Sequence, residues 1–115
     1  MNDKFEALKT ADDYLDKLKN GINKVIDLLE EDNENKACSY IIDIAEGIDW
    51  IIQVINLTSD VQKEKIDLSN MNENLNEIVE ALENEDYNLL GDLFRYEISP
   101  ILDRIHKQIK VCVLN

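Results

Sequence analysis

The side chains that could do chemistry are few. His106 is the single histidine, Cys38 and Cys112 are the two cysteines, and Glu31-x-x-Glu34 and Glu46-x-x-Asp49 are acid pairs at a spacing that can share a cation. A phosphoryl-transfer histidine needs a reachable imidazole in mid-helix with open backbone beside it. His106 instead lies near the end of the chain with Lys110 four residues on and no glycine after it. Helical phase puts it off the face set by Phe94 and Ile105, which predicts a solvated ring with no catalytic part. Bundle metal sites of the Glu-x-x-His kind need two such pairs, and one histidine cannot furnish them. A magnesium ion held by carboxylate oxygens alone would need the four acids to converge. Glu31 and Glu34 fall in a stretch without apolar residues, and Glu46 and Asp49 point away from the Ile44, Ile48 and Ile51 face. There is no Gly-rich phosphate loop and no serine or cysteine with a base at a recognisable spacing. No catalytic residue, cofactor or metal is expected. The cysteines fit no metal spacing, and both fall on or beside apolar faces, so buried free thiols are expected.

The elements that position these residues are helices. Glycine (3) and proline (1) are too scarce for the turns of an all-β fold. Leu8, Ala11, Leu15, Leu18, Ile22, Val25 and Leu29 recur at three- and four-residue steps, a heptad seam over a first helix of about eight turns. Residues 31–36, EDNENK, end it. A second helix runs from Glu34 or Asn35 to Leu57. Thr58, Ser59 and Asp60 offer N-cap chemistry for a third, with the seam Val61, Leu68, Met71, Leu75, Ile78 and Leu82 and a weak point near Ser69 and Asn70. A tight connection over 83–86 leads to a fourth, faced by Tyr87, Leu90, Phe94, Ile98, Ile101, Ile105 and Cys112. Pro100 removes an N–H inside that helix and predicts a kink between Tyr96 and Pro100, or a helix in two pieces. The fold class expected is all-α: an antiparallel up-down four-helix bundle with a proline-kinked last helix, residues 1–115 forming one domain. A faint echo between LLEEDNENKA and ALENEDYNLL gives two similar acidic corners and is read as chance.

The net charge of −13 disfavours binding to phosphate backbones, and the short basic run Arg104, His106, Lys107, Lys110 suits a helix C-terminus. No apolar run is long enough to cross a bilayer, and the first residues lack a signal peptide's apolar stretch. The expected location is cytoplasmic, with no nucleic-acid or membrane partner.

Residues 40–57 carry more apolar surface than one helix of a bundle needs. Ile41, Ile44, Ile48, Ile51 and Ile55 share one face, while Gly47, Trp50, Val54 and Leu57 recur on nearly the opposite one. That second stripe either widens the helix's burial or binds a protein partner, with self-association as a homodimer included. Gly47 would then allow close approach and Trp50 would anchor. Tyr96, off the core phase beside the carbonyl freed by Pro100, is a second candidate, as the wall of a groove for a partner helix.

The segments EGIDWIIQVINLTSDVQKEKI and NEIVEALENEDYNLLGDLFRYEISPILD resemble a group of small, acidic, uncharacterised helical-bundle proteins of spore-forming bacteria, some of them flagella-associated. The resemblance covers about two-thirds of the chain and is most specific at YEISP. It implies a helical bundle and no catalytic residues. The function expected is a non-catalytic protein–protein interaction module, a chaperone or adaptor of the flagellar-export type. An all-carboxylate, Mg-dependent nucleotide pyrophosphatase-like helical enzyme is the alternative.

Overall fold

The computed structural model describes residues 3–114, whose regular elements are all helices, with no strand among them. Helix α1 spans Asp3–Glu30 and α2 spans Glu34–Leu57. Helix α3 spans Met71–Glu83, and α4, Tyr87–Leu93, runs through a wide π-helical turn, Phe94–Ile98, into α5, Ser99–Val113. At 1.5 Å per residue α1 is about 42 Å long, which accounts for most of the 47 Å long axis. It packs against α2, α4, the wide turn and α5. No helix is long and apolar enough to cross a membrane.

The heptad seam of α1 is buried as its spacing requires, from Leu8 to Val25. At its C-terminal end Leu28 takes the inner position and Leu29 is half-buried. The isoleucine face of α2 is buried from Ile41 to Ile55. Phe94, Ile98, Leu102 and Ile105 are fully covered on the last rod.

The two acidic corners have one geometry. Asp32 and Glu85 both take a left-handed backbone, at φ 58° and 53°. In each, the next N–H reaches back five residues, from Asn33 to the Leu28 carbonyl at 2.8 Å and from Asp86 to the Ala81 carbonyl at 2.9 Å. This is the Schellman arrangement, which satisfies carbonyls left over at a helix end. The two echoing segments thus share one turn geometry.

The expected start of the third helix is corrected. Thr58 ends α2: its N–H and its hydroxyl both donate to the Val54 carbonyl, at 3.0 and 2.7 Å. Gln62 Nε2 donates to the Ile55 carbonyl at 2.8 Å. A single tight turn, Ser59–Val61, follows. Residues 62–70 then cross in non-helical form, held by the buried Ile66 and by the Arg104 side chain donating to the Asp67 carbonyl at 3.0 Å. Asp67 also accepts from the Ser69 N–H at 2.9 Å, and that bond holds its carboxyl below the usual range. Asp, Ser and Asn side chains compete for backbone groups in this way. The helix forms only once Met71, Ile78 and Ala81 supply an inner face.

Non-glycine residues at the left-handed corners are strained by about 1 kcal/mol each. Glu85→Gly and Asp32→Gly should each raise stability by about that amount in urea unfolding, with an unchanged m-value. A loss of stability would show that the acidic side chains make native contacts that outweigh the backbone strain.

Candidate functional site

A groove of about 470 Å³ runs between α1 and α2, lined by Thr10, Tyr14, Asp43, Glu46, Gly47 and Trp50. A smaller hollow of about 140 Å³ shares Tyr14 and Asp43 with it and continues past Gly21 and Tyr40. On α1, Thr10, Tyr14, Lys17 and Gly21 follow three- and four-residue steps, one stripe over from the buried seam. Tyr14 meets Trp50 edge to face, with ring centroids 5.6 Å apart, a favoured aromatic geometry. Gly47 makes this contact fit. A Cβ there would lie 2.3 Å from the Tyr14 hydroxyl and 3.1 Å from Leu18 Cδ1.

The stripe expected on α2 splits in two. Gly47 and Val54 are buried against the chain itself, Trp50 is half-buried, and Leu57 is 72% exposed. At 100° per residue Trp50 and Leu57 lie about 20° apart, and Gly47 lies about 60° from Trp50. One edge therefore faces α1 while the other faces outward. Tyr96 is 65% exposed, at the wall of a separate groove of about 400 Å³ between α3 and the wide turn.

His106 is a second correction. It is only 3% exposed, and its Nε2–H donates to Asp12 Oδ1 at 2.8 Å while Nδ1 accepts from the Lys19 ammonium at 2.7 Å. Lys19 also pairs with Asp103 at 3.0 Å, and Lys110 with Asp12 at 3.1 Å. The donors fix the ring as the Nε2–H tautomer. Phase misled because the wide turn consumes extra backbone: the Ser99 N–H reaches the Phe94 carbonyl, five residues back. Leu102, not Ile101, then takes the centre of the inner face, and His106 sits one turn further along. In the buried series Leu90, Phe94, Ile98, Leu102, three successive four-residue steps overrun an α-helical stripe by about 120°, and the wide turn absorbs the excess. Both ring nitrogens therefore face partners from α1, the Asp12 carboxylate and the Lys19 ammonium.

The acid pairs do not converge. From residue 34 to 46 is about 18 Å along α2. Asp49 holds Gln53 at 2.9 Å. Among the described residues no group of three or more His, Cys, Asp or Glu side chains could hold a metal ion. Cys112 is buried, Cys38 half-buried, and both are free.

The model of a domain of unknown function (DUF8042) matches residues 6–108, and the chain belongs to that family. No curated protein and no solved structure matches it.

Gly47→Ala should shift the emission of Trp50, the single tryptophan, by pushing the Tyr14 ring aside. A gain in helix propensity of up to about 1 kcal/mol opposes the lost packing. Adding Tyr14→Phe removes the closest atom and should make Gly47→Ala less harmful than in the parent; equal costs in both backgrounds would deny the contact. Nitrogen-15 spectra of the imidazole should show the Nε2–H tautomer. Lys19→Met, which strips Nδ1 of its donor, should lower stability by about 1–3 kcal/mol.

Proposed function

We propose that this family member is a non-catalytic binding module whose α1–α2 groove receives a basic, amphipathic helix of a protein partner. The observation carrying it is the groove's make-up. The aromatic pair Tyr14 and Trp50 stands over Gly47, with Asp43 and Glu46 beside it. Half-covered tryptophan in a hollow is a typical anchor at protein interfaces. The net charge of −13 steers a cationic partner and repels nucleic acid and anionic membrane.

In this reading the chain is an up-down bundle of four rods. Lys4 bonds Asp60, Gly47 lies under Tyr14, and Gly21 faces Ile44, so residue numbers fall along α1 as they rise along α2. Asp12 with Lys110 and Lys19 with Asp103 support the same antiparallel sense for α1 and α5. The wide turn before Pro100 is where the last rod would bend. A cytoplasmic chaperone or adaptor, of the flagellar-export type in its most specific form, fits a small acidic bundle that shields one amphipathic helix of a client.

Titrating in a synthetic helical peptide with a lysine-rich polar face should shift Trp50 emission to the blue and saturate. Raising salt from 0.05 to 0.5 M should weaken binding by about tenfold, because screening shortens the reach of the acidic field. Trp50→Glu, which has no tryptophan left to report, should show no binding by titration calorimetry while circular dichroism stays helical. A parent protein whose emission ignores the peptide would refute the groove as a partner site. A doubled solution mass that falls to the monomer in Trp50→Glu, with no peptide binding by the parent, would replace the client with a second copy.

A further inference from the structure

The groove between α3 and the wide turn is lined by a polar side chain that has no hydrogen-bond partner among the described residues. On α3 the inward positions are Met71, Asn74, Ile78 and Ala81, so an amide occupies one step of an otherwise apolar stripe. Asn74 is only 6% exposed, yet its side chain has no hydrogen-bond partner among the described residues, and it lines the groove. Its polar atoms are therefore open to the groove, where water or a ligand's donors can reach them, while the rest of the side chain is held by its burial. Glu73, Glu77 and Glu97 border the same space and make no ion pair among the described residues. Elsewhere the cations Lys4, Lys19, Arg95, Arg104 and Lys110 each sit on an acid. The three glutamates are not gathered tightly enough to hold a bare metal ion, so the cation that fits is an extended one. Tyr96 adds a ring, and the Arg95 guanidinium already lies 5.8 Å from its centroid. An aromatic ring can carry a cation over each face.

We infer that this groove is a receptor for the guanidinium of an arginine presented by another polypeptide, with Asn74 Oδ1 and the Glu77 and Glu97 carboxylates as acceptors and Tyr96 as a stacking wall. Arginine is favoured over lysine because several acceptors spread round one groove match a planar fork of five N–H donors better than a compact ammonium. The site lies apart from the α1–α2 groove and stands whether or not that groove binds a helix.

The test is titration of the 15N-labelled protein with N-acetyl-arginine amide, with the lysine and norleucine amides as controls. Arginine should give saturable shifts at the Asn74 side-chain amide and at the backbone of Tyr96 and Glu97. Lysine should bind about threefold more weakly or worse, and norleucine should not bind. Glu97→Gln and Tyr96→Ala, both at exposed positions, should each weaken arginine by about three- to tenfold. Trp50→Glu should leave it unchanged. Arginine and lysine shifts of equal size spread over the acidic surface would overturn the inference, as would an Asn74 amide that does not move.

Discussion

The fold depends on one continuous strip of apolar side chains, the α1 seam from Leu8 through Leu28. It must be covered along its whole length, and no single neighbour does so. Helix α2 lays its isoleucine face along one side, while α4, the wide turn and α5 close the other. Each fully buried leucine or isoleucine contributes about 1.5–3 kcal/mol, so leaving any part of the strip wet would be a large loss against a typical net stability of about 5–15 kcal/mol. The long axis of the molecule, the length of α2 and the need for a compound last rod all follow from that demand.

Two narrower stripes flank the seam on α1, and each sets a different relationship. On the α2 side Thr10, Tyr14, Lys17 and Gly21 leave a groove, because the neighbour meets them with Gly47 and the half-covered Trp50. On the α5 side Asp12 and Lys19, seven residues apart, grip His106, Lys110 and Asp103. Apolar faces alone can slide by a turn at small cost. A buried imidazole that must find a carboxylate on one nitrogen and an ammonium on the other cannot slide, so this cluster is best understood as a device for register.

How far the sequence could be read depended on whether periodicity stayed unbroken. The α1 seam and the isoleucines of α2 were legible because 3.6-residue repetition runs through them without interruption, and the exposure of Tyr96 followed from its phase. His106 was illegible as a buried residue because a wide turn earlier in the same rod shifts every later position, and a constant 100° step cannot show that. Thr58 was misassigned because a hydroxyl beside Ser59 and Asp60 suits either end of a helix. Only the bonds to Val54 and Ile55 show which end it serves. The second stripe of α2 does not stay together as one face, since positions 60° apart on a helix can have opposite surroundings.

The distribution of charge separates attraction from recognition. An acidic surplus of this size acts over a Debye length, about 8–10 Å at ordinary salt, and its field does not distinguish one basic segment from another. Selectivity has to come from groups that are desolvated and geometrically fixed. Such groups lie in few places here: the Tyr14–Trp50 edge over Gly47, and Asn74 in the groove that Tyr96 also lines. The second owes its shape to Pro100. With no N–H at that position, an α-helical bond to the Tyr96 carbonyl cannot form, and the Ser99 N–H bonds to Phe94, five residues back. The backbone widens, so Tyr96 and Glu97 stand beside α3 in place of following a regular helical surface. The same irregularity that hid His106 from the sequence thus carries Tyr96 and Glu97, two of the residues that line the groove.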